Sequence, residues 1–153
     1  MPVLVYVVHL LCAVIWVGGM AFALLVLRPA AHVALDGPQR LALMDGVFTR
    51  FFRILWHVIP LLLLSGWAML FVFYWGFGAS VWHVHVMHMT GLVMAAIFAF
   101  LALGPRRRLS AALATGDRAA ALVALETLRK GVGVNLVIGL ATVAVAAAGR
   151  FGG

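Results

Sequence analysis

Four stretches of this chain, 3–27, 54–74, 81–103 and 132–148, are almost wholly apolar, and each is long enough to cross a bilayer. Nothing else in the sequence restricts the fold so severely. Inside hydrocarbon, a backbone N–H or C=O without a partner has no water to turn to, and a helix pairs these groups within its own segment. Composition points the same way. Of the 153 residues, 66% are hydrophobic and 10% are charged, against about 25% charged in an ordinary soluble domain. The expected fold is all-α: a single integral-membrane four-helix bundle with short amphipathic cytoplasmic helices.

The polar residues punctuate these runs. All four acidic residues, Asp36, Asp45, Asp117 and Glu126, lie between them. Arg28-Pro29 is expected to stop the first helix, because proline biases the residue before it away from helix. Asp36-Gly37-Pro38 has the composition of a turn. From Arg40 to Arg53, charged and apolar residues alternate at helical spacing, as in an interfacial half-helix that merges into the second span. Pro60 is expected to kink that span. Residues 75–80 form a short turn, and Gly104-Pro105 ends the third span. After Arg106-Arg107-Arg108 the spacing predicts two short helices lying on or under the membrane. Gly116-Asp117 supplies the break between them and an N-cap.

Charge sets an orientation. Arg28, Arg40, Arg50, Arg53, Arg106, Arg107, Arg108, Arg118, Arg129 and Lys130 fall in or beside the two long loops, whereas the other side carries Arg150 alone. The positive-inside rule puts those loops in the cytoplasm and both termini outside. In a bacterial inner membrane, the net charge of +7 is therefore a topology signal and not a nucleic-acid-binding one. Trp75 and Trp82 flank the short outer turn as interfacial aromatics. The N-terminus lacks the basic region of a cleavable signal and is expected to begin a permanent span. Cys12, the one cysteine, cannot form an internal disulfide and reads as a small buried apolar residue.

The chemistry lies in His83-Val84-His85-Val86-Met87-His88-Met89, at the outer mouth of the third span. Ionisable or strongly polar groups within membrane spans are uncommon and usually functional. At 1.5 Å per residue, His9 lies about 9 Å inside the outer end of the first span, and His85 and His88 about 5 to 10 Å inside that of the third. These groups share a depth. His57, on the far side of the bilayer, does not. Helical phase puts residues 85, 88, 89 and 92 on one face and 83, 87, 90 and 94 on the other. The expectation is that His85, His88 and Met89 look into the bundle, with His83 at the interface. His9, Ala13, Trp16 and Met20 form a stripe on the first helix. Asn135, Gly139, Thr142, Ala146 and Gly149 form one on the last, where small residues admit a neighbouring helix or a flat ring.

Two cofactors fit this cluster. Haem b needs two imidazoles at similar depth on facing helices, and His9 with His85 or His88 would supply them. Trp16 would lie beside the ring, and Arg150 would meet its propionates. Copper suits imidazole and thioether donors, which His9, His85, His88 and Met89 would provide, with Met87 or His83 at the mouth. The plain alternative is a set of hydrogen bonds across helices, the expected role of Asn135 and Thr142. His57 shares a face with Arg50 and Arg53, which suits either an anionic-lipid or quinone-headgroup site or a structural contact at the helix start. His32 reads as a solvated loop residue.

The run His9-Leu-Leu-Cys-Ala-Val-Ile-Trp16-Val-Gly-Gly19, followed by Arg28-Pro29, resembles the first helix of the copper-resistance CopD membrane family. Arg53 to Pro60 to Gly66, the His-rich start of the third helix, and Arg129 to Asn135 resemble HemJ-type protoporphyrinogen oxidases more distantly. The first resemblance implies copper transport or tolerance. The second implies haem bound by a first-helix histidine, which maps onto His9, and by a third-helix lysine, whose place falls near His85, with His88 open. The spans here contain no lysine. A histidine in its place suits a bis-histidine haem that transfers electrons, and not the oxidase activity itself. The readings are thus a haem b protein of membrane electron transfer or haem-dependent oxidation, a copper-binding or copper-transporting protein, or an accessory subunit of a larger respiratory complex. The partners they imply are the lipid bilayer and a quinone or redox protein.

Overall fold

The computed structural model describes residues 2–77 and 81–152, and leaves the side chains of residues 2, 74 and 150–152 undescribed. Every element among these residues is helical: α1 (Pro2–Ala21), a wide π-helical segment (Phe22–Leu27), α2 (Arg28–Ala34), α3 (Gly37–Tyr74), α4 (Trp82–Leu103), α5 (Pro105–Ala114) and α6 (Arg118–Gly152). Four helical stretches are long and apolar enough to span a membrane. The protein is an all-α integral-membrane four-helix bundle.

The helices outrun the spans read from the sequence. The first does not stop at Arg28-Pro29 but runs on to Ala34. The reason is the π-helical segment, in which the Arg28 N–H bonds to the Ala23 carbonyl five residues back. The hydrogen-bond ladder therefore slips by one residue just before the proline, which lacks an N–H and would otherwise crowd a carbonyl of the preceding turn. The expected half-helix over 40–53 is the first part of α3, which is continuous through Pro60. Asp36 caps α3 by accepting from the Gln39 N–H at 2.8 Å, and the Gln39 side chain accepts from the Asp36 N–H in return. This reciprocal pairing satisfies two groups a helix start leaves open. Trp75 ends α3 in the left-handed region, at φ 55°.

Of the two short helices expected after Arg108, one exists as α5. The other is the beginning of α6, which Asp117 starts by accepting from the Ala120 N–H. Its apolar face never breaks, so nothing separates it from the last span. At 1.5 Å per residue, α3 is about 57 Å long, nearly twice the hydrocarbon thickness. The excess lies at the end where the basic residues collect.

Packing is pairwise. α1 lies along α3, and α4 lies along α6; α1 also meets α6, α3 touches α4, and α1 and α4 are diagonal. Asn135 ties the second pair by donating to the Met94 carbonyl at 3.2 Å, and Thr142 does so by donating to Thr90 at 2.8 Å. Gly139 sits where helices cross, because a Cβ there would come within 3.0 Å of both Met94 and Val17. The buried core runs from mid-bilayer to the basic end: Trp16 and Met20 from α1, Phe48, Phe52 and Leu55 from α3, Met94 and Phe98 from α4, Leu109 from α5, Leu128 and Leu136 from α6. Phe52 meets Phe48 and Phe98 edge-on, with ring centres 5.7 and 5.3 Å apart, a favoured aromatic geometry. Toward the histidine end, most described side chains are exposed or half-buried, and the rings of Trp67, Phe77 and His88 meet there.

Candidate functional site

His9 continues the buried stripe of Cys12, Trp16 and Met20 on α1. Its ring turns onto α3, where Nδ1 lies 3.0 Å from the Leu62 carbonyl and 3.1 Å from Ser65 Oγ. A carbonyl only accepts, so Nδ1 carries the proton. Ser65 sends its own hydroxyl proton to the same carbonyl at 3.0 Å and accepts from the imidazole. Gly66 makes room, since a Cβ there would stand 3.2 Å from His9 Cε1. The result is a fixed tautomer with the lone pair on Nε2. Metal-ligating histidines are commonly held this way, through a backbone carbonyl on the other ring nitrogen.

The facing of α4 is the reverse of the one expected. Met94 and Phe98 are buried and Thr90 bonds to α6, so the face of residues 83, 87, 90 and 94 packs inward. His83 lies on that face and not at the interface: its ring occupies a notch at Gly149, where a Cβ would fall 2.2 Å from His83 Cγ. Met89 is 60% exposed, and His85 is exposed too. The cause is the stripe of small residues on α6, which accepts α4 at close range along this face. Imidazole count made the other face look like the interior; helix-on-helix fit decides otherwise.

His88 is half-buried against α3, where Trp67 Nε1–H donates to its Nδ1 at 3.3 Å. Indole nitrogen is a donor only, so the neutral His88 ring holds its own proton on Nε2, opposite to His9. Phe77 stacks on His85 at 5.9 Å and meets His88 edge-on at 4.9 Å. His9 and His88 do share a depth, since they meet α3 at Ser65-Gly66 and at Trp67, but they flank α3 from α1 and α4. His9 and His88 are thus held to α3 by different partners, Leu62 and Ser65 for the one and Trp67 for the other. Among the described residues, no group of three or more His, Cys, Asp or Glu side chains is placed to hold a metal ion.

Trp16 is buried on the same face as His9, two turns deeper. The side chain of Arg150 lies outside the described residues. His57, Arg50 and Arg53 are all exposed on one face of α3, as an anionic headgroup site requires. Leu62, Ser65, Trp67 and Phe77 were not singled out in the sequence, although they hold the imidazoles. Ser65-Gly66-Trp67 was the available signal: a hydroxyl, a missing side chain and an indole N–H within an apolar run, at the depth of His9.

No family model, curated protein or solved structure matches the chain.

Proposed function

We propose that the protein is a haem b-binding membrane protein of electron transfer, with His9 as the anchoring axial ligand near the outer leaflet. One observation carries this reading: the His9 Nδ1–H is committed to the Leu62 carbonyl and Ser65, leaving Nε2 as a pre-oriented donor inside an apolar bundle. A haem there supplies one-electron chemistry, with a potential set by its ligands and burial. Ser65 and Leu62 hold the His9 ring, and the surrounding apolar side chains exclude water. His88 is disfavoured as second ligand, because Trp67 occupies its Nδ1 and its proton sits on Nε2. By its depth in the span, the second axial ligand would be His85 of α4. Both termini lie outside and the basic loops in the cytoplasm, as the charge distribution requires. The more distant resemblance of Arg53 to Gly66, the His-rich start of the third helix and Arg129 to Asn135 to HemJ-type proteins adds support to haem.

The visible spectrum of detergent-purified protein tests this reading. A Soret band with sharp α-bands on reduction is expected, and its absence ends the haem assignment. His9→Ala should abolish the band, whereas His88→Ala should keep it.

A second reading has its own observation. His85 and Met89 lie one turn apart on the exposed face of α4, where an imidazole and a thioether suit a cuprous ion. Copper that copurifies at one per chain and is lost in the Met89→Leu variant would favour it.

A further inference from the structure

Three side chains near the basic end of the α3 span make no polar contact within the fold. Arg50, Arg53 and His57 are exposed, and their spacing of three and four residues sets them on one helical face. Among the described residues, none of the three has a hydrogen-bond or ion-pair partner. Other cations at this level are engaged: Arg106 bonds to Thr49 and to the Ala102 carbonyl, and Arg129 and Lys130 hold Glu126. The same face of α3 continues through Leu61 and Leu64, each at least half exposed. Over about three turns it changes from cationic to apolar.

Contacts between helices fix the depth of this change. Trp56 meets Phe98 of α4 edge-on, with ring centres 5.1 Å apart. Arg53 lies about one turn nearer the basic end, level with Leu101, just before α4 ends at Leu103. Thr49 meets Arg106, so Arg50 is level with the Gly104-Pro105 break. His57 lies about 6 Å further into the bilayer than Arg53, at 1.5 Å per residue. The arginines thus stand at the edge of the hydrocarbon and the leucines within it, the order in which a phospholipid presents its phosphate and its chains. Guanidinium pairs strongly with phosphate oxygens. No carboxylate lies on this face, so a headgroup with net negative charge gains more there than one that carries its own ammonium. A second copy of the chain has no carboxylate free to answer these arginines. Asp36 and Asp117 cap helices, Asp45 accepts from Ser110 at 2.6 Å, and Glu126 is paired. We infer that this face binds an anionic phospholipid of the leaflet at the basic end. Arg50 and Arg53 hold its phosphate, His57 stands beside its ester region, and an acyl chain lies along Leu61 and Leu64. The site is independent of any cofactor at His9.

The test is native mass spectrometry of the full chain released from nanodiscs of equimolar phosphatidylglycerol and phosphatidylcholine. The wild-type protein is expected to retain phosphatidylglycerol about 5- to 30-fold over phosphatidylcholine, at roughly fivefold for each arginine. Arg50→Gln with Arg53→Gln should bring the two lipids to parity. Arg107→Gln with Arg108→Gln removes the same charge from an exposed part of α5 and should leave the preference intact. Parity in the wild type overturns the inference, as does an equal loss in the two double variants, the mark of general attraction to a basic surface. Displacement by excess glycerophosphoglycerol, the same headgroup without its chains, would overturn it in favour of a soluble phosphate ester. A dimer that the Arg50/Arg53 variant dissolves would overturn it in favour of a second copy. The wild-type spectra decide alone where that variant does not fold.

Discussion

The ring of His9 is fastened to α3 by Leu62: Nδ1–H points at the Leu62 carbonyl at 3.0 Å and shares its proton with Ser65 Oγ at 3.1 Å. That single contact settles two properties. It holds α1 against α3 at the end of the bundle where the core is thin, and it decides which imidazole nitrogen keeps its lone pair. A cross-helix contact and a ligand-orienting contact are here the same hydrogen bond.

Ser65→Ala removes the hydroxyl and leaves the carbonyl. The expected loss of stability in micelles is about 0.6 kcal/mol and no more than about 1.7, the range for single hydrogen bonds between membrane helices. Gly66→Val should cost more, because its side chain would enter the space of the His9 ring; overpacking costs about 1–3 kcal/mol. Both variants should also weaken any ligand held by Nε2, within the roughly 10–100-fold range for outer-shell partners. Thermal unfolding and ligand titration read the two effects. Unchanged affinity in Gly66→Val would show that His9 is structural only.

His83 and Gly149 make the second prediction. The notch leaves no room for a methyl group, and the nearest atoms are Cγ, Nδ1 and Cβ of the His83 side chain, close to the backbone and unable to swing clear. Gly149→Ala should therefore destabilise by about 1–3 kcal/mol. His83→Ala in the same background should recover most of that loss. A double-mutant cycle with coupling below about 0.5 kcal/mol would mean that the two residues do not meet.

Gly149 also shows what could and could not be read from the sequence. The span count, the polar breaks and the stripe of Asn135, Gly139, Thr142 and Gly149 were legible, because each is a local pattern with a local cause. The depth shared by His9 and His88 was legible from helical rise alone. The facing of α4 was not. Periodicity divides a helix into faces, but choosing the inner one needs the partner, and it is the close fit of α4 to the small residues on α6, not the side that holds His85, His88 and Met89, that sets the inner face. The length of the first helix was lost for a related reason: Pro29 is a stop signal only while the hydrogen-bond ladder stays in α register. The Trp67–His88 bond depends on contact between α3 and α4, which neither helix announces by itself.

Burial is concentrated at the basic end, and this sets a contrast in tolerance. Leu128 is fully buried and packs in the same core as Leu109 of α5. Leu128→Ala should cost about 2–5 kcal/mol, as for other buried leucines. Val143→Ala lies on an exposed, lipid-facing part of α6 and should change stability by less than about 0.5 kcal/mol. Equal losses in the two variants, measured by unfolding in micelles, would contradict a core that runs toward the basic end.

Glu126 supplies the pH dependence. It stands on the part of α6 that precedes the last span, and its carboxylate accepts from Arg129 Nε at 2.7 Å and from Arg129 Nη2, with Lys130 Nζ at 3.6 Å. The Arg129 hydrogen bonds are the main reason its carboxyl is held down to about 2, from an ordinary value of 4.5. A carboxyl depressed by folding contributes stability that is complete above its unfolded pKa and is lost as pH falls through the folded one. The wild type should therefore exceed Glu126→Gln by a constant margin from pH 8 to about pH 5 and lose that margin progressively as pH approaches about 2. The pair is exposed to water, so the margin should be small and should shrink further in high salt. Thermal unfolding of both proteins across that range, at low and high ionic strength, measures it. A margin that survives undiminished at pH 2, or one that salt does not touch, would assign the effect of Glu126 to helix propensity and not to its ion pair.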